Sequence, residues 1–315
     1  MIEAFLEERS WLLADGALGS NLRARGLDAE TAPELWNETH PRAVRRLHQD
    51  FVDAGADIIL TNSFGANAAR LRRHDAEDRV HAINVLAARH ARAVSDTIER
   101  HILVAGCVGP TGEQIGADFS DADAITIFGE QIEGLKDGGI ELIWIETMGS
   151  LAEIRAAATA AAAAELPYVV SAYFGPALTP TALAAASPDF PGTLEALGVN
   201  CGAGPADVLV SVLALTEALP EAVIVAKASC GLPHIAGERA TYPATPALMA
   251  EYACLAVDAG ARIIGGCCGT TATHLAAMRA ALLAHTRGPR PGAADIAARL
   301  APFAAPGAAL ELGDR

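Results

Sequence analysis

Short apolar runs rich in branched side chains recur along the chain, and amphipathic segments fill most of the gaps between them. Eight runs read as strands: Trp11–Ala14, Asp57–Thr61, Ile102–Cys107, Glu141–Ile145, Tyr168–Tyr173, Ala196–Asn200, Val223–Ala226 and Arg262–Gly265. Between the first two, Val44, Leu47, Phe51 and Val52 recur at helical spacing within residues 41–54, and Gly55 stands where a helix C-terminal cap belongs. Residues 75–96 place Val80, Ile83, Ala87, Ala91 and Val94 on one face. Segments 122–137, 150–164, 204–218, 246–259 and 271–285 carry the same signature. Residues 174–195 do not: Pro176, Pro180, Pro188 and Pro191 predict a loop with at most a short helix.

Strands alternating with helices predict a parallel sheet. Eight such units over roughly 250 residues fit a closed (β/α)8 TIM barrel better than an open sheet. No glycine-rich dinucleotide fingerprint follows the first strand, which disfavours a Rossmann domain. The predicted organisation is one barrel over residues 1–288. A Gly/Pro/Ala-rich tail over 289–315 reads as loosely packed or disordered.

Composition narrows the partners. Hydrophobic residues make up 51% and charged residues 19%, enough for a large core and too apolar for a disordered chain. The 23 basic against 38 acidic side chains give −15, which argues against binding nucleic acid through its phosphates. No run approaches the ~20 apolar residues of a membrane helix. Glu3, Glu7 and Glu8 occupy the stretch where a secretory signal needs positive charge and an apolar run, so the expected location is the cytoplasm. Six cysteines are too few for a disulfide framework in 315 residues.

In a barrel of this kind, chemistry gathers at the C-terminal ends of the strands. Here those ends carry Asp15-Gly16-Ala17, Thr61-Asn62-Ser63-Phe64, Glu146-Thr147, Cys201-Gly202, Ser229-Cys230-Gly231 and Gly266-Cys267-Cys268-Gly269. Cys201, Cys267 and Cys268 would meet at one mouth as three soft sulfur ligands, a set that selects zinc or copper(I), of which zinc is the usual choice in a cytoplasmic enzyme. The flanking glycines give the backbone freedom for two adjacent cysteines to face one ion. Buried apolar packing is the competing reading for any cysteine, and the one adopted for Cys107 and Cys254. Cys230 decides the type of site: as a fourth ligand it would close the metal, and otherwise one position stays open for chemistry. Asp15 and Glu146 are either a pair of anions for an ammonium group or a local turn and a helix cap. His234, His274 and His285 read as solvated or helix-surface residues. Lys227 ends an apolar strand as a Schiff-base lysine can, yet no phosphate-binding glycine loop or carbonyl substrate accompanies it.

The segments DGALGSNL, TNSF, VGPTGE, IETM, GVNCG and GGCCGTT occur in this order between residues 11 and 271. Together they resemble the homocysteine S-methyltransferase family, which includes betaine–homocysteine methyltransferases, S-methylmethionine-dependent enzymes and the homocysteine module of cobalamin-dependent methionine synthase. The resemblance implies a (β/α)8 barrel that makes methionine, with zinc held by Cys201, Cys267 and Cys268. It implies that the amino group of homocysteine meets Asp15 and Glu146. Its carboxylate would meet backbone amides near Gly16 and Ala17, with help from Asn62 and Ser63. The donor stays open among methylcobalamin on a partner protein, betaine or a related onium compound, and S-methylmethionine. Where vertebrate betaine enzymes hold the quaternary ammonium with aromatic rings, this chain aligns Ala32, Gly65 and Thr147, and Trp36, Phe64, Tyr173 and Phe174 are the aromatics able to replace them. KASCGLP and GGCCGTT are closer to the methionine synthase module, which implies a methyl-corrinoid protein docking at the mouth. The alternative is a homocysteine- and zinc-binding acceptor subunit of a multiprotein methionine synthase, without turnover alone.

Overall fold

Eight parallel strands form the frame: β1 (Leu12–Leu13), β2 (Ile58–Leu60), β3 (Leu103–Val108), β4 (Leu142–Met148), β5 (Tyr168–Ala172), β6 (Leu194–Cys201), β7 (Ile224–Ala228) and β8 (Ile263–Gly266). The computed structural model describes residues 1–116, 119–236 and 239–300. Each strand pairs with its neighbour in the ring, β8 lies between β7 and β1, and a bridge from Ala14 to Ile58 closes the circle. The fold is a (β/α)8 barrel. All eight predicted strands are present, displaced at their ends by no more than a few residues.

Period-two alternation explains the two layers of core. Leu12, Ile58, Leu60, Leu103, Ala105, Leu142, Trp144, Val169, Val225 and Ile263 face inward and fill the barrel. Their neighbours Leu13, Ile59, Val104, Ile143, Val170, Ile224 and Ile264 face outward. Against them pack the helices Pro41–Asp53, Val80–Ser95, Asp121–Asp137, Leu151–Ala163, Pro205–Ala218, Pro246–Ala259 and Ala272–Ala284. The helix Ile2–Glu8 closes the N-terminal end by adding Ile2 and Leu6 to the inner cluster, and the Met1 amino group pairs with Glu195 at 2.9 Å. At that same end Asp57, just before β2, accepts from Leu13 N and pairs with Arg9, Arg100 and Arg279.

Toward the C-terminal end the inward phase turns polar. Two residues beyond Ala105, Trp144, Val169 and Val225 come Cys107, Glu146, Ser171 and Lys227, and Asn200 pairs in register with Lys227. An apolar floor therefore lies beneath a polar upper layer.

Residues 174–195 contain a short helix, Pro180–Ala186, and one 3-10 turn, Ser187–Asp189, as their prolines predict. The expectation of a loosely packed tail is corrected for part of its length. Ala293–Leu300 is a helix whose Ile296 and Leu300, one turn apart, are buried against the helices Pro205–Ala218 and Pro246–Ala259. Its Gly/Pro/Ala surroundings masked a two-residue apolar stripe, and residues 301–315 of that expectation lie outside the described residues. A ribbon of His234–Ala236 and Arg239–Thr241 follows β7, with no counterpart in the sequence reading. Among the described residues, no helix is long and apolar enough to cross a membrane.

Candidate metal and substrate site

Cys201 ends β6, and Cys267 and Cys268 follow β8, so β7 stands between them. Its last residue, Ala228, is the link: it pairs with Cys201, and its carbonyl accepts from Cys267 N at 2.7 Å. The three sulfurs lie within 4.8 Å of one another. A tetrahedral ion with 2.3 Å metal–sulfur bonds places its ligands about 3.8 Å apart, so this trio fits a metal with small adjustment. Past β8 the chain turns back on itself, with Thr270 N donating to Cys267 O at 3.0 Å and Gly269 at φ +80. That turn, rather than an extended strand, is why both adjacent cysteines face one point. It passes so close to Gly266 that a Cβ there would stand 2.2 Å from the Thr270 side chain. Hydrogen bonding to Cys267, aided by burial, pushes the Cys201 thiol up to about 12, so the metal-free thiols are protonated at neutral pH.

Cys230 stands apart. It is buried in the outer core with its sulfur 3.3 Å from Thr270 Oγ1, and it is not one of the clustered thiols. The three-cysteine set thus keeps a fourth coordination position free of protein sulfur among the described residues. Cys107 is buried in the inner cluster, as its place in an apolar run suggested, but its thiol also donates to Glu146 Oε1 at 3.2 Å. Cys254 lies half-buried on the helix Pro246–Ala259.

Two strand ends adopt a backbone conformation that side-chain-bearing residues rarely accept: Cys201 at φ +68 and Thr147 at φ +62. Asn200 braces them. Its Oδ1 accepts from Thr147 N at 2.9 Å, its Nδ2 donates to Thr147 Oγ1 at 2.7 Å, and Nδ2 also lies 3.7 Å from Cys267 Sγ. One amide thereby ties the segment presenting Glu146 to the thiol cluster. Asn200 was visible in the sequence only as a letter of GVNCG, because its role depends on contacts across strands.

The carboxylates reach one place, but not symmetrically. Asp15 is fully buried, with Oδ2 accepting from Leu60 N at 2.8 Å and Oδ1 from Lys227 Nζ at 3.4 Å. Burial raises its carboxyl to about 6, against the opposing pull of Lys227. Glu146 is partly exposed, and its Oε2 lies 3.7 Å from the same Lys227 nitrogen. Neither side chain forms the local turn or the helix cap that a strand-end carboxylate can also make. Lys227, which has no Schiff-base setting around it, is the cation between them. His274 caps the helix Ala272–Ala284, and His285 pairs with Asp258, away from this cluster.

A cavity of about 420 Å³ opens above the cluster and is walled by Gly16, Ala17, Asn62, Ser63, Glu146, Lys227 and the three cysteines. Asp15 is not part of that wall. The Asn62 amide is committed to Pro33 O and Asn37, and the Ser63 hydroxyl to Cys107 O and Thr61, so both side chains shape the wall. Gly16 lets the end of β1 pass close to Thr270, whose carbonyl would lie 2.5 Å from a Cβ. Ala32, Gly65 and Thr147 also line the cavity, and all three are small. Of the four candidate aromatics only Phe64 reaches it, with the Arg70 guanidinium already over its ring at 5.3 Å. Trp36 is instead buried and stacked on His40.

The family model described as homocysteine S-methyltransferase matches residues 12–282. The chain belongs to this family. Its likeness to known members is consistent with the geometry. Methionine synthase of Mycobacterium tuberculosis is 30% identical over 96% of this chain, and that of Mycobacterium leprae 28% over 86%. The chain spans 28% and 24% of those two proteins, about a quarter of each. The metallated form of the homocysteine methyltransferase MmuM from Escherichia coli superposes with a TM-score of 0.73 at 25% identity, covering 89% of this chain and 99% of that one.

Proposed function

We propose that this family member transfers a methyl group to the sulfur of homocysteine, giving methionine, with zinc held by Cys201, Cys267 and Cys268. The observation that carries this reading is the trio of thiols within 4.8 Å, open to the cavity while Cys230 stays out. Sulfur-only donors suit zinc, and the half-buried thiols suit a reducing cytoplasmic setting. Zinc bound there would let the homocysteine thiol release its proton to water and persist as a thiolate at neutral pH. The thiolate lone pair then forms the new sulfur–carbon bond while the bond from methyl to donor breaks, its electron pair leaving with the donor. No general base is needed at that point, because the thiol has already lost its proton.

The chain's own groups orient the acceptor. Glu146 faces the cavity and takes the α-ammonium, with Asp15 behind it. Backbone amides at Gly16 and Ala17 receive the carboxylate, on a wall shaped by Asn62 and Ser63. Small residues at positions 32, 65 and 147, and a Phe64 ring already covered by Arg70, support a donor held by something other than an aromatic cage. The candidates remain methylcobalamin on a partner protein, betaine or a related onium compound, and S-methylmethionine.

A second reading draws on the quarter-length match to methionine synthases: an acceptor subunit that receives the methyl group only from a separate methyl-corrinoid protein. One screen separates the two. Purified protein, zinc and homocysteine are mixed with each donor, and methionine is measured. Product from a free small-molecule donor supports the first reading and rules out the second, whereas product only with the corrinoid protein supports the second and leaves, of the first reading's donors, methylcobalamin on a partner protein. No product with any donor defeats both.

A further inference from the structure

Lys227 is almost fully buried and lines the cavity together with Glu146, and the proposed reaction gives it no role. It lies 3.4 Å from Asp15 and 3.7 Å from Glu146, its ammonium sits 5.2 Å from the centre of the Trp144 ring, and it lines the cavity from which Asp15 is excluded. An ammonium carries three N–H donors. Here one is used by Asp15 at a long distance, and Glu146 is an ion-pair neighbour beyond hydrogen-bond reach. Burial opposes a charged amine, but Glu146 and Asp15 outweigh it and hold Lys227 above its ordinary range.

The floor of the cavity therefore presents a cation and an anion side by side. Two carboxylates and one ammonium leave a single net negative charge. That arrangement complements a zwitterion: an amino group set against Glu146, and a carboxylate set against Lys227. Register gives the right depth. Lys227 pairs with Asn200, one residue before Cys201, and with Gly265, two before Cys267. One or two residues along a strand is about 3–7 Å, a separation that the two-methylene arm and the carboxylate beyond it span together.

We propose that Lys227 contacts the α-carboxylate of the thiol substrate, and that Asp15 is a positioning residue that holds Lys227 rather than a ligand of the ammonium. The inference rests on the homocysteine reading above and adds what recognises each end of the amino acid. It makes the site selective for zwitterionic thiols through two opposite charges, with the Gly16 and Ala17 amides as further contacts to the carboxylate.

The test is a cycle of protein variants against trimmed ligands. The ligands are homocysteine, 3-mercaptopropylamine (without the carboxylate) and 4-mercaptobutyrate (without the ammonium). Binding to cobalt-substituted protein is followed by the thiolate-to-cobalt absorption band, with no methyl donor present. The Lys227→Met/Asp15→Asn pair removes one charge of each sign together, which guards against a fold lost to an unpaired buried charge. Wild type is expected to prefer homocysteine to 3-mercaptopropylamine at least tenfold. In the double variant that preference shrinks to about one- to threefold, while the preference over 4-mercaptobutyrate survives. In Asp15→Asn alone the preference over 4-mercaptobutyrate also survives, because Glu146 carries it. An unchanged carboxylate preference in the double variant overturns the role of Lys227. Loss of the ammonium preference in Asp15→Asn overturns the role given to Asp15. Failure of wild type to bind homocysteine at the metal overturns the underlying functional reading as well.

Discussion

Asn200 holds Thr147 through both halves of its amide, at 2.9 and 2.7 Å, and both Thr147 and the residue after Asn200 have left-handed backbones. The brace fixes Glu146 relative to Cys201 across β4 and β6, which are not adjacent strands. Asn200→Ala should therefore weaken metal and acceptor binding together. Partners that orient metal ligands typically matter by about 10–100-fold in affinity. Competition with a chelator, followed by homocysteine titration of metal-loaded protein, measures the two losses separately. A variant that loses only one of them contradicts the brace.

Cys230 and Cys201 give opposite outcomes. Cys201→Ala should abolish stoichiometric zinc and methyl transfer together. Cys230→Ala should keep both, with a modest stability cost for a small buried gap. Metal analysis of the two purified proteins is sufficient, and zinc lost from the Cys230 variant would mean a closed four-sulfur site.

Glu146→Gln keeps the shape of the side chain and removes its charge. Hydrogen bonds to charged groups contribute about 1.5–3 kcal/mol, so homocysteine affinity should fall roughly 10- to 150-fold. Zinc content should not change. Calorimetric titration with homocysteine reads the first, and elemental analysis the second.

His48 is a stability liability far from this chemistry. It is fully buried in the helix Pro41–Asp53, and neither ring nitrogen has a hydrogen-bond partner among the described residues. Burial, with a smaller push from His90, lowers it to about 3. Because the folded value lies below the unfolded one, the unfolded chain takes up the proton first as pH falls. Stability is therefore lost between about pH 6.5 and 3, at up to about 1.4 kcal/mol per pH unit. His48→Leu should raise stability by about 1 kcal/mol at pH 7 and flatten this part of the pH dependence. Denaturant midpoints at pH 7.5 and 5.5 for both proteins check it, and parallel shifts in the two would count against the assignment.

The barrel was legible because alternation along Leu12–Ala14, Ile58–Leu60 and Leu142–Ile145 marks both faces of each strand, and glycine-flanked polar residues mark one rim. The three cysteines were legible for the same reason. What escaped the sequence was relational. Asn200 and Lys227 matter through side chains arriving from other strands, and no local pattern reports that. Asp15 and Glu146 looked equivalent as strand-end carboxylates, yet a hydrogen bond from Leu60 N draws Asp15 beneath the wall while Glu146 stays at it. The helix Ala293–Leu300 was missed because only Ile296 and Leu300 signal it.

The most direct test of the central claim counts sulfurs around the metal by zinc-edge X-ray absorption, with and without homocysteine. The expected result is three sulfur neighbours in the protein alone and four when homocysteine is added, without loss of any protein sulfur. Four sulfurs before addition, or a count unmoved by homocysteine, would contradict a site in which Cys201, Cys267 and Cys268 leave one position for the substrate thiol.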